Sequence, residues 1–349
     1  MRVVVTGATG NVGTSLVRLL STEPAVTSIV GVARRRPDLH LPKVDWAAAD
    51  VSRDDLEGPF AGADVVVHLA WAIQPSHRLD VVEATNVAGT QRVLDAAAEV
   101  GAGAVVYASS VGAYSPGPKD RRVDESWPTG GVPTSFYSRH KAATERMLDR
   151  FEAEHGGIRV VRLRPGLIFK REAASGIRRL FLGRLVPPQL LRPSLIPVVP
   201  RTERLIFQAV HTDDVAEAYR LVIVGDATGA FNIAADPVLD PDELGHILRA
   251  RPLPAPAPAL RIAADLSWRA HLQPTPAGWL DLAVQTPIMD TSRARKELGW
   301  SPRYTSGQAL CELLQGFADR AYGPTPPLAR GGWRAPALTP VTPQVPTNR

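Results

Sequence analysis

"VVVTGATGNVGTSLVRLL", residues 3–20, sets Gly7, Gly10 and Gly13 between a run of β-branched residues and a helical pattern. Strand, tight turn and helix in that order make a phosphate-binding element. Gly7 permits the turn, Gly10 lets the backbone approach a pyrophosphate, and Gly13 lets the helix pack close to the sheet, with the helix N-terminus facing the anion. The stretch therefore predicts a dinucleotide-binding α/β protein.

The theme repeats through the first half. "SIVGVA" (28–33), "ADVVVHLA" (63–70) and "AVVYASS" (104–110) are short, continuous apolar runs separated by helical patterns. Strands of that kind are buried on both faces, so the expected fold is a Rossmann-type, doubly wound parallel α/β sheet with a smaller, partly helical C-terminal substrate-binding lobe. The expected dinucleotide-binding domain spans 1–165, with 207–235 returning to it; 166–206 and 236–323 form the lobe. "PLPAPAPA" (252–259) reads as an extended connector, and the proline-rich 324–349 as a flexible tail.

Composition narrows the function. The 349 residues are 44% hydrophobic and 21% charged, ordinary values for a globular chain. The net charge of +5 is spread among interleaved acids and bases, which argues against a nucleic-acid partner. Cys311 is the only cysteine, so neither a disulfide framework nor a thiolate metal site is expected. The N-terminus carries no leader-like pattern and no apolar run approaches a membrane span, which predicts a soluble, cytoplasmic protein. His68, His140 and His211 lack metal-ligand spacing and read as structural; no metal is expected.

"TSFYSRHKAATERML" (134–148) carries Tyr137 and Lys141. Four residues apart on a helix they share one face, so phenol and ammonium can address one site. A free phenol titrates near about 10, and a neighbouring ammonium favours the phenolate, making Tyr137 a candidate acid or base.

The TGxxGxxG spacing, "ADV" (49–51), "HLAW" (68–71), "NVAGT" (86–90), the Tyr137/Lys141 pair and "MDTSRARKELGWSP" (289–302) together resemble the extended branch of the short-chain dehydrogenase/reductase family. The likeness runs from residue 1 to about 318. That branch holds nucleotide-sugar epimerases and dehydratases, hydroxysteroid dehydrogenases and flavonol reductases. The resemblance implies a catalytic set of Ser110, Tyr137 and Lys141. Ser110, at the end of "YASSVGAY" (107–114), orients the substrate oxygen, and Tyr137 moves its proton. Lys141 lowers the Tyr137 pKa and binds the nicotinamide ribose, while hydride passes between nicotinamide and a carbonyl or carbinol carbon. It further implies cofactor contacts from Gly7, Gly10, Asn11, Val12 and Gly13, from Asp50 and Val51, and from Leu69 and Ala70. Asn86, Ser109, Tyr137, Lys141 and Pro165 complete that set. A homodimer paired through helices near 84–100 and 137–154 is expected by the same likeness.

"GVARRRP" (31–37) places Arg34, Arg35 and Arg36 at the end of the second strand, where such a sheet meets the adenosine ribose. An NAD site would carry an acidic residue there; the aligned residue is Ala33. Arg34 matches the arginine of the flavonol-reductase type and suits a 2′-phosphate, with Arg35 secondary and Arg36 solvated. NADP is the expected cofactor, with NAD the alternative.

Two departures bear on substrate. "VVRLRPGLIF" (160–169) has Pro165 where the sugar-nucleotide enzymes carry asparagine, and "FQAVHTDD" (207–214) has Phe207 and Gln208 in place of a diphosphate-gripping arginine and its aspartate. The expected activity is therefore NAD(P)-dependent hydride transfer to or from a carbonyl or secondary alcohol of a medium-sized, partly apolar small molecule. Span 170–204, with eight basic residues against two acidic ones, could steer an anionic ligand or simply form a basic surface, while Leu180, Phe181, Leu182 and Leu185 suggest an apolar lid. A nucleotide-sugar epimerase or dehydratase with tightly bound NAD, and a non-catalytic cofactor-sensing or scaffold protein, remain the alternatives.

Overall fold

The computed structural model describes residues 1–183, 195–202 and 204–330. Its centre is a sheet of seven strands: β1 (Arg2–Thr6), β2 (Ser28–Ala33), β3 (Val44–Ala48), β4 (Val65–His68), β5 (Ala104–Ala108), β6 (Arg159–Pro165) and β7 (Gly229–Ile233). The spatial order is β7-β6-β5-β4-β1-β2-β3, and every pairing is parallel. The order reverses between β1 and β4, which opens a crevice at the carboxyl ends of these two strands.

The side chains show why the strands read as unbroken apolar runs. Val3 and Val5 pack on one face with α1 (Asn11–Ser21) and α4 (Thr212–Val224), whereas Val4 packs on the other with α2 (Gly89–Glu99) and α3 (Phe136–Glu154). Val65 and Val67 divide from Val66 in the same way. Successive residues of a strand point to opposite faces, so a sheet covered on both needs apolar residues at every position.

A separate apolar cluster joins Ala174, Val199, Leu239, Leu244, Leu310 and Phe317, drawn from segments on both sides of β7. Its helix Ser306–Ala318 opens with a capping box of Thr305 and Gln308. Segment 236–323 does not lie wholly in this lobe. Ala294 and Trp300 return to the sheet-side core, where the Trp300 indole donates to the Asp214 carbonyl at 2.8 Å.

Two other expectations are corrected. The connector at 252–259 is ordered at both ends: Arg251–Pro254 pairs with Val198–Arg201 and a helix begins at Ala257. The tail does not start at 324. Thr325 and Leu328 are buried, because they find carbonyl and apolar partners on the folded body; residues 331–349 lie outside the described residues. Leu185, Arg184, Arg192 and Glu203 of the basic lid span also lie outside them. Among the described residues no helix is long and apolar enough to cross a membrane.

Candidate active site

Gly7 has φ +69°, and a Cβ there would stand 2.6 Å from the Ala70 nitrogen. A Cβ on Gly13 would stand 2.5 Å from the Gly7 carbonyl oxygen. Both glycines are thus demanded by the close approach of loop, helix and the chain after β4. Gly10 is the N-cap of α1 and no side chain caps that helix, so its positive end is left for an anion. Gly7→Ala is expected to cost more than about 1 kcal/mol of stability through the left-handed backbone alone, and to weaken dinucleotide binding. Urea denaturation with a parallel cofactor titration checks both effects.

A cavity of about 520 Å³ opens beside this loop. Gly7 and Gly10 line one side; Arg34 and Arg35 enter from the end of β2, Asp50 and Val51 from the end of β3, and Leu69 and Ala70 from the end of β4. Asp50 accepts from the Ser52 hydroxyl at 2.7 Å, which holds its carboxylate at the rim. Glycine cradle, uncapped helix and cavity fit a dinucleotide.

Other expected contacts are engaged elsewhere. The Asn11 side chain donates to the Ile168 carbonyl at 3.2 Å and accepts from Thr212, tying α1 to the neighbouring strand and helix. Val12 packs on the sheet-side core. Asn86 is fully buried and grips both backbone groups of Ala72, at 2.7 and 2.8 Å, so it shapes the loop after β4. Pro165 is buried at the end of β6 opposite Ile233. Ser109 donates to Glu145 at 2.5 Å, behind the site, because neighbouring residues at a strand end diverge.

Ser110 faces the other way. It caps the short turn Val111–Ala113 by accepting from the Gly112 nitrogen at 3.0 Å, and its hydroxyl, beside the Tyr137 ring, favours the ionised phenol. A Cβ on Gly112 would lie 2.8 Å from the Tyr137 ring, so only glycine lets that ring close onto the strand end. Ser135 caps α3 and puts Tyr137 in its first turn.

The expected lowering of the Tyr137 pKa is not what the structure shows. Burial raises it, opposed by the Ser110 hydrogen bond. Lys141 shares the face of α3, but its Nζ donates to the Ala108 carbonyl at 2.5 Å and lies 3.4 Å from the Trp71 ring centroid, against 5.9 Å for the Tyr137 ring. Burial also holds the Lys141 pKa well below that of a free lysine, with the Glu145 charge opposing it.

Sequence reasoning missed the walls around Tyr137. Trp71 meets its ring edge-on at 5.9 Å, and Trp279 lies over it at 4.9 Å with Phe181 edge-on behind. The Trp71 indole nitrogen is buried with no acceptor in the described structure. Gln74 closes the roof by donating to the Leu180 and Pro274 carbonyls at 3.0 and 2.8 Å. Trp71 had a signal in its place in "HLAW", and Phe181 in the apolar lid pattern; Gln74, Pro274 and Trp279 converge from distant segments.

His68 is structural, between the Thr6 and Thr90 hydroxyls at 2.7 and 3.0 Å, with burial and the Lys141 charge holding its pKa down to about 3. Gln208 exchanges two hydrogen bonds with the Met289 backbone, and Phe207 pairs with Leu239 through the backbone.

The NAD dependent epimerase/dehydratase family model matches residues 3–234. The chain belongs to that family. It is 30% identical over 321 residues to an uncharacterized protein of Mycobacterium tuberculosis, covering 89% of this chain and 29% of that protein. The chain thus spans about 29% of the length of this mycobacterial relative. It is 28% identical to 4-hydroxy-2-methyl-3-oxo-4-farnesyl-3,4-dihydroquinoline-1-oxide ketoreductase of Stigmatella aurantiaca, over 90% of this chain and 96% of that one. In fold it is similar to the UDP-glucose 4-epimerase of Thermotoga maritima in complex with UDP-glucose, with TM-score 0.69 and 19% identity over 92% of this chain and 99% of that one.

Proposed function

We propose that the chain is an NADP-preferring ketoreductase or alcohol dehydrogenase acting on a medium-sized, largely apolar substrate, with Tyr137 as the proton donor or acceptor. The observation that carries this reading is the Tyr137 ring, set against the Gly112 turn that Ser110 caps and walled by Trp71 and Trp279. Aromatic walls around one polar group suit an apolar body with a single oxygen to be oriented. The nicotinamide cofactor supplies or takes the hydride. Ser110 holds the substrate oxygen, Tyr137 exchanges its proton, and Lys141 would hold the nicotinamide ribose. Burial keeps the phenol protonated at neutral pH, the form needed to donate to a carbonyl.

Further support comes from the positions that grip diphosphate in the sugar-nucleotide branch. Gln208 is spent on the Met289 backbone and Phe207 packs in the lobe, so neither offers a cation to a sugar nucleotide. The Stigmatella relative is a ketoreductase of a farnesylated quinoline. A stoichiometric loss of nicotinamide absorbance with a lipophilic ketone tests the reading; interconversion with no net change in absorbance would overturn it.

Cofactor choice has its own test. Ala33 leaves no carboxylate at the ribose position, while Arg34 and Arg35 line the cavity there. Arg34→Ala is expected to weaken NADP binding about ten- to a hundredfold and to change NAD binding little. Equal losses for both in calorimetric titration would remove Arg34 from the 2′-phosphate. The same reading has residues 1–165 and 207–235 hold the cofactor, the lobe cover the substrate, and a homodimer pair through 84–100 and 137–154, which light scattering tests.

A further inference from the structure

The chain beyond the sheet returns to the glycine loop. Thr325 is fully buried and its hydroxyl donates to the Thr9 carbonyl, inside that loop, at 2.8 Å. The following residues fold back tightly: the Leu328 nitrogen donates to the Thr325 carbonyl and the Gly323 nitrogen to the Leu328 carbonyl, each at 2.9 Å. Leu328 is 4% exposed, so the turn is pinned by an apolar side chain as well as by hydrogen bonds.

The far side of this strap is bound to the lobe. Ser175 donates to the Ala329 carbonyl at 3.2 Å, and Arg179 Nη2 donates to the Pro327 carbonyl at 2.6 Å. Pro326, Pro327 and Arg179 line the same cavity as Gly7, Thr9 and Gly10. Arg179 is half-buried and forms no ion pair with a described carboxylate; burial and the charge of Arg178 both disfavour its protonated form. A partly desolvated guanidinium and an uncapped helix N-terminus on one cavity both call for an anion.

We propose that residues 322–330 form a strap over the dinucleotide site, holding the Arg179 guanidinium against the glycine loop so that it clamps the pyrophosphate of the bound cofactor. The planar, paired donors of arginine match phosphate oxygens, and the carbonyl of Pro327 fixes their direction. The pyrophosphate is the part of the cofactor that the glycine loop approaches, and Thr325 bonds to that loop rather than to the end of β2. The inference rests on the reading of the cavity as a dinucleotide site. The strap lies outside residues 3–234, the span the family model matches.

The test is direct binding, measured by calorimetry on the full chain with NADP, NAD and adenosine 2′-monophosphate, which lacks the pyrophosphate. Arg179→Ala is expected to weaken both dinucleotides by a common factor of about ten to a hundred and to leave adenosine 2′-monophosphate unchanged. Arg179→Lys should restore part of the loss. Thr325→Val, and a chain ending at Gly323, should release bound NADPH several-fold faster in a displacement experiment. Should the shortened chain not fold, the Thr325→Val result decides the strap. Unchanged dinucleotide affinity in Arg179→Ala, or a loss confined to NADP, would overturn the clamp. If the wild-type chain binds neither dinucleotide, the reading of the cavity falls first and the clamp with it.

Discussion

Replacing Tyr137 by phenylalanine is expected to lower kcat about 10²- to 10⁴-fold while the cofactor dissociation constant stays within about a factor of two or three. The substitution removes one oxygen from a ring that Trp71 and Trp279 already hold, so packing around it should persist. What is lost is the phenol hydroxyl on the ring that lies against the Ser110-capped turn at the end of β5. Because burial raises the Tyr137 pKa, the wild-type enzyme should keep its proton donor through neutral pH. The rate of carbonyl reduction should then fall only as pH rises through that elevated value, and the variant should lack this alkaline limb. Stopped-flow reduction rates across pH, with a cofactor titration of the same variant, check the result. Turnover near the wild-type level, or a collapse of cofactor binding, would remove Tyr137 from the proposed role.

Glu145→Ala should be among the most destabilising substitutions in the chain, with an expected loss of about 3–5 kcal/mol in denaturant unfolding. Glu145 and Arg164 are 1% and 4% exposed and meet through two hydrogen bonds of 2.9 Å. Ser109 adds a third to the carboxylate, and Arg164 also reaches the Tyr114 hydroxyl and the Glu125 carbonyl. Removing the carboxylate leaves a buried guanidinium without its counter-ion. The paired substitution Glu145→Met with Arg164→Met should recover much of the loss, since an apolar pair carries no stranded charge. A loss under about 1 kcal/mol for Glu145→Ala would mean water replaces the carboxylate.

The same pair gives a pH dependence of definite sign. Burial tends to raise the Glu145 pKa, but the Arg164 hydrogen bonds and charge, with Ser109, hold it below the usual carboxylate value. Its contribution is present above the ordinary glutamate range and is lost as pH falls through the depressed value. Because Glu145 lies one turn beyond Lys141 on α3, loosening it should also disturb the helix face that carries Tyr137.

Several features of this protein follow from local rules, and the chain states them in one dimension. A left-handed turn at Gly7, the strand pattern of Val3–Val5 and the four-residue spacing of Tyr137 and Lys141 each depend on residues within a turn or two, so sequence alone carried the parallel sheet, the glycine cradle and the shared helix face. The direction of a side chain at an element's end is another matter. Ser109 and Ser110 are adjacent and chemically alike, yet the strand sends one to Glu145 and the other to the Gly112 turn beside Tyr137.

Contacts between distant segments were decided only in three dimensions. Trp71 and Trp279 meet around one phenol, with Phe181 against Trp279, although long stretches of chain separate them and no periodicity relates them. Lys141 turns toward the Trp71 ring and the Ala108 carbonyl because those partners are nearest once the helix has docked. A proline-rich stretch that local propensity would leave mobile is ordered through Leu328 because Thr9 offers a carbonyl and Arg179 a guanidinium. The free energy that settles such choices comes from burial and hydrogen bonds made across the fold, which no short window of sequence contains.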